Sequence, residues 1–216
     1  FVASATGGVV FGSTSSAGLD FASNVSIAGT GGDNSIFSNA GGSVTVAGDL
    51  TISSDVFGTI TSPAATSHLA HIYATDGGTM ALGGNVLLTA SAFGGAAVAP
   101  GAVGGQATGS FAKIQSNNGG QITISGNATL QANALGGQAQ TTGAGGGGAT
   151  AGTAWVLSTG TGGSSVQIGG TVDLSAAATG ANGLGCVTCI LDGGSAQGGL
   201  TAIRANGDST ISIGAA

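Results

Sequence analysis

The chain has 216 residues, of which 46 are glycine, 41% are hydrophobic and only 5% are charged. One lysine, one arginine and eight aspartates leave a net charge of −6, which excludes binding to a nucleic-acid phosphate backbone or to an anionic membrane surface, since both need clustered cations. No apolar run reaches the length of a membrane-spanning helix, so membrane insertion is not expected, and the low charge with a high apolar fraction excludes ordinary disorder.

Read from the N-terminus, one pattern recurs. Phe11 is followed by Leu19 and Phe21, then by Asn24, Val25 and Ile27. Ile36 leads to Val44 and Val46, then Asp49, Leu50 and Ile52. Ile72 leads to Met80 and Leu82, then Asn85, Val86 and Leu88. Ile114 leads to Ile122 and Ile124, then Asn127, Ala128 and Leu130. Val156 leads to Val166 and Ile168, then Thr171, Val172 and Leu174, and the last copy holds Ile203, Ile211 and Ile213. The first step is 8 residues in every copy except that of Val156, where it is 10.

Each copy carries three short runs of period-two alternation separated by Gly, Asn or Asp. That period marks half-buried strands, and those residues mark corners. Three strands and three corners fill about 25 residues, one turn of a triangular parallel β-helix, and a full turn is the crossover that parallel neighbours require. The expectation is an all-β, single-domain protein over residues 1–216. Its fold is a parallel three-sided β-helix of about six turns.

Successive anchors lie 25, 36, 42, 42 and 47 residues apart. The excess over one turn falls after the third strand, in the Gly/Ala-rich segments Phe93 to Gly109, Leu135 to Gly152 and Ala177 to Gly198. Such composition also suits a flexible linker. The steady growth of the inserts favours ordered excursions at one corner, lying against one another.

Inward ladders run through the anchors named above. A polar ladder, Asn24, Asp49, Asn85, Asn127 and Thr171, falls at the corner before the third strand. It reads as a structural corner that tolerates left-handed backbone, and less readily as a cation site. Outward positions of the second and third strands are mostly small. The first strand instead presents His71 and Tyr73, Lys113 and Gln115, Trp155 and Leu157, and Arg204. This face is a candidate strip for a glycan or a host protein. A plainer account has the excursions fold over it, and the two extra residues in the Val156 copy leave the side taken by Trp155 open.

Reactive groups are sparse, and no catalytic residues are assigned. Glycoside chemistry needs two carboxylates within several ångströms, but Asp76 and Asp208 share a corner three turns apart, and Asp20, Asp55, Asp173 and Asp192 fall in different columns. His68 and His71 do not complete a metal site. Gly-Gly pairs that start no helix are not a dinucleotide fingerprint. No cofactor is expected. Cys186 and Cys189 lack the helix of a redox motif and a second pair for zinc, and read as a disulfide closing the tip of the longest excursion.

The string Gly-Gly-x-Ile-x-Ile-x-Gly-Asn-x-x-Leu-x-Ala-x-Ala-x-Gly-Gly, from Gly119 to Gly137 and in variant form from Gly77 to Gly95, resembles the repeats of large secreted bacterial β-solenoids. These include filamentous-haemagglutinin-like and autotransporter-passenger adhesins. The resemblance implies export and a place outside the bacterial cell, as adhesin, stalk or fibre. The family's N-terminal secretion domain and C-terminal barrel are not in this sequence, and the chain begins at Phe1 without a basic leader. The expected function is a non-catalytic structural component that associates with itself, its end turns offering unpaired strand edges. A module binding a surface glycan or host protein ranks second. Ice binding, which expects a Thr-x-Thr array where only Thr59-Ile-Thr61 occurs, ranks third.

Overall fold

A computed structural model describes residues 1–14, 18–184 and 193–214. The architecture is a parallel β-solenoid whose three main sheets hold six strands each. The first sheet stacks Val10–Thr14, Asn34–Asn39, Ala70–Thr75, Phe111–Asn117, Thr153–Thr159 and Leu200–Ala205. The second stacks Gly18–Phe21, Ser43–Val46, Thr79–Leu82, Gln121–Ile124, Ser165–Ile168 and Thr210–Ile213. The third stacks Val2–Ala5, Val25–Gly29, Leu50–Ser53, Val86–Thr89, Ala128–Gln131 and Val172–Ser175. Val2–Ala5 was not anticipated. It pairs with Val25–Gly29 in parallel, Val2 opposite Ser26 and Ala5 opposite Gly29.

Register follows the predicted ladders. Phe11, Ile36, Ile72, Ile114, Val156 and Ile203 are successive Cα partners. So are Leu19, Val44, Met80, Ile122, Val166 and Ile211. Their side chains converge with the third-sheet aliphatics into one core, in which Ile27, Ile52, Ile72, Leu88, Ile114, Ile122 and Leu130 are fully buried. Each such side chain contributes about 1.5–3 kcal/mol of hydrophobic stabilisation before ordering entropy is counted. A one-residue slip would turn the whole set to solvent, which is why alternation locks the register.

The polar ladder works through side chain and backbone together. Asn24 Oδ1 accepts from the Asp49 N–H at 3.0 Å, and Asp49 Oδ1 from the Asn85 N–H at 2.7 Å. Asn85 Oδ1 accepts from Asn127 N–H at 3.0 Å, and Asn127 Oδ1 from Thr171 N–H at 2.9 Å. Each corner thus satisfies a backbone donor of the next. The expectation of left-handed backbone at this ladder is corrected. The positive-φ residues lie at the corner between the first and second sheets, where Ala40, Asp76 and Asn118 (φ 50°, 51° and 46°) each precede a positive-φ glycine.

The excursions, over their described residues, have regular backbone pairing. They leave after the third sheet and return before the first, and their limbs form two further parallel sheets of four short strands. Outgoing strands are Val56–Phe57, Ala92–Phe93, Ala134–Leu135 and Ala178–Thr179; returning strands are Ala65–Thr66, Ala107–Thr108, Ala149–Thr150 and Ala196–Gln197. The two sheets close on a second, separate core of Ala65, Ala92, Ala107, Ala134 and Ala149. Their outer column on the outgoing side stacks Phe57 on Phe93, centroids 4.6 Å apart and 7° from parallel.

Beyond these strands the limbs join by a string of backbone hydrogen bonds. Gly95 N–H donates to Pro63 O, Gly105 N–H to Gly95 O, and Gly137 N–H to Gly105 O, at 2.7, 2.8 and 2.9 Å. Gly147 N–H donates to Gly137 O, Ala181 N–H to Gly147 O and Gly194 N–H to Ala181 O, at 2.9, 3.0 and 2.7 Å. The string alternates between outgoing and returning limbs. Close approach explains the glycine: a Cβ on Gly137 would sit 1.9 Å from the Gly95 carbonyl oxygen, and one on Gly147 would sit 2.1 Å from that of Gly105. No side chain fits there.

Candidate functional site: the outer face of the first sheet

Pleating sends alternate residues of each first-sheet strand outward. One outward column reads Ser35, His71, Lys113, Trp155 and Ala202. The next reads Gly12, Phe37, Tyr73, Gln115, Leu157 and Arg204. All six predicted strip residues (His71, Tyr73, Lys113, Gln115, Trp155 and Arg204) therefore share one face. Trp155 is outward, directly opposite Lys113, while Val156 is buried. The two extra residues fall in the following turn, where Gly160, Gly162 and Gly163 take positive φ. The equivalent second-sheet column is Asp20, Thr45, Ala81, Thr123, Gln167 and Ser212, with nothing larger than glutamine.

The rings of the strip lie on one another. Tyr73 stacks with Phe37 at 5.3 Å and 13°, and with His71 at 4.6 Å and 24°. Phe37 fits because its earlier neighbour is Gly12, whose Cβ would lie 2.1 Å from the ring. Phe37 was missed from sequence because its copy carries no other large outward residue. The Lys113 ammonium sits 5.9 Å from the Trp155 ring centroid, and Phe111 meets that indole edge-on at 6.2 Å. The excursion strands close their apolar faces on each other, and Phe111 and Arg204 stand exposed. Among the described residues, the ring contacts of the strip are with its own first-sheet neighbours.

This packing has electrostatic consequences. Burial first, and the Lys113 charge second, push His71 down to about 3. Burial also lowers Lys113 and raises Tyr73. His71 Nε2 and Trp155 Nε1 are buried without hydrogen-bond partners. Between Trp155 and the last strand lies a cavity of about 220 Å³, bounded also by Leu157, Leu200, Ala202 and Arg204.

A second polar ladder escaped the sequence reading. Asp55 Oδ1 accepts from Ser91 N–H at 2.7 Å, Ser91 Oγ from Asn133 N–H at 3.2 Å, and Asn133 Oδ1 from Ala177 N–H at 2.8 Å. Each member lies six residues after a member of the first ladder, and that constant offset was the available signal. Asp55 is thereby a structural acceptor, held also by Thr89 Oγ1 at 2.7 Å. Among the described residues no three His, Cys, Asp or Glu side chains gather as a metal site. Cys186 and Cys189 lie outside the described residues.

Comparison with protein-family models, curated proteins and solved structures finds no match. The class is therefore set by the fold: a parallel β-solenoid carrying a stacked excursion at one corner and a chemically distinct strip on one face.

Proposed function

We propose that this chain is a non-catalytic structural component of an extracellular fibre, stalk or surface adhesin at a bacterial cell surface, and that it associates with itself. The observation that carries this reading is the direction of its hydrogen bonding. Three main sheets, two polar ladders and the glycine string all run along one axis. The excursions lengthen while keeping that axis, so the sequence is organised for a long, stiff body. The repeat's resemblance to secreted bacterial solenoids supports the same reading. Electron microscopy of the native material tests it: continuous filaments are expected, and isolated rods at high concentration would remove self-association and select the binding reading below.

A second reading is favoured by one feature, the concentration of large polar and aromatic side chains on the first sheet. In this reading the strip containing His71, Tyr73, Lys113, Gln115, Trp155 and Arg204 binds a surface glycan or host protein. Tyr73 is stacked against Phe37 and His71, and Trp155 lines the 220 Å³ cavity beside the last strand. The contact surface of this reading accordingly centres on Trp155.

A further inference from the structure

We infer that the cavity between Trp155 and Arg204 is a subsite for a carboxylate-bearing sugar, an inference that rests on the second, ligand-binding reading above. Seven of its eight lining residues have the outward parity of their strands, so it opens on the outer face of the first sheet. It exists because Trp155 has Ala202 as its Cα partner on the next strand. A one-carbon side chain opposite an indole leaves a gap beside the ring, while Lys113 occupies the other side. Leu157 and Leu200 give the gap apolar walls, and Thr159 and Asn206 give it polar ones. The volume, about 220 Å³, is below the ~300–1,000 Å³ of sites for drug-sized ligands. It suits one sugar ring.

Charge specifies the ligand further. The protein carries −6 overall with two basic side chains, and both stand around its single tryptophan. Lys113 is on the strand before Trp155, and Arg204 on the strand after. Among the described residues neither is paired with a carboxylate. The Arg204 Nε–H donates to Asn206 Oδ1 at 3.0 Å, leaving the terminal nitrogens free for a bidentate carboxylate. An anion has no other reason to approach an acidic protein, so recognition must be local, within the ~8 Å over which charge is felt at physiological salt. An indole ring takes the C–H face of a pyranose, the guanidinium takes its carboxylate, and Lys113 adds attraction from behind the ring. A uronate polysaccharide and a sialylated glycan both supply this chemistry.

The single tryptophan makes the test direct. The full chain is titrated with trigalacturonate, with sialyllactose, and with neutral lactose, following Trp155 fluorescence and calorimetric heat. A saturable fluorescence change with at least one acidic sugar is expected, weakened tenfold or more by Arg204→Gln and lost in 1 M salt. Arg204 is exposed, so the variant's fold is expected to be intact, and its melting temperature checks this. Whichever acidic sugar responds identifies the source. Lactose binding that perturbs Trp155, with Arg204→Gln unaffected, would overturn the acidic subsite yet leave a glycan-binding strip. Silence with all three sugars would overturn the subsite and count against the glycan reading with it.

Discussion

Ile122 is fully buried in the middle of its ladder, between Met80 and Val166. Ile122→Asp places an unpaired charge there, at a cost of several kcal/mol, and thermal melting should report loss of the cooperative transition; a wild-type melt would refute the register. Asn85 is milder: its side chain accepts from Asn127 and donates to Asp49. Asn85→Ala should cost about 1 kcal/mol per lost bond, measurable by urea unfolding. His71 couples the strip to pH. Its imidazole is held to about 3 against an ordinary 6.5, by burial and then Lys113, with Tyr73 stacked beside it. The unfolded chain thus takes up a proton that the native chain refuses, so the contribution is whole above pH 6.5 and is lost as pH falls toward 3. Between pH 7 and pH 5 this amounts to about 2 kcal/mol. Urea midpoints at the two pH values should differ for the natural chain and converge for His71→Gln.

At the scale of elements, the three main sheets were legible because bulky aliphatics alternate and recur at matched offsets. Val2–Ala5 was missed because it contains no second bulky anchor and precedes the first complete copy. The excursion sheets had little signal to read: two-residue strands packed through alanine carry no alternation, and their glycine string depends on contacts between limbs that composition cannot place. For the strip, parity told which side chains share a face, except for Trp155, whose side the two extra residues left open. It could not tell that Phe37, Tyr73 and His71 would stack with their faces together, because alternation fixes the side and leaves ring orientation to local packing. Gly137→Ala tests the excursions separately. The added methyl meets the Gly95 carbonyl, so hydrogen exchange should quicken in residues 93–109 and 135–152 while the first and second sheets stay protected. Uniform protection would mean that the string bears no strain from the substitution and is looser than described.

Across the whole molecule, eight aspartates set against two basic side chains put the isoelectric point near 4.1. Repulsion between copies vanishes there. Turbidity is expected to peak close to pH 4, and reversal on return to neutral pH would distinguish association of folded chains from denaturation. The glycine string has a further consequence, for how such a body comes into being. From Gly95 onward, each outgoing limb in the string donates to the returning limb of the excursion before it, and each returning limb to its own outgoing partner. An excursion formed alone has only half its partners, so it gains order when a finished neighbour already stands beside it. Assembly of the corner is therefore templated: the formed part acts as a mould, and a chain delivered from its N-terminus would set one excursion at a time, each casting the next.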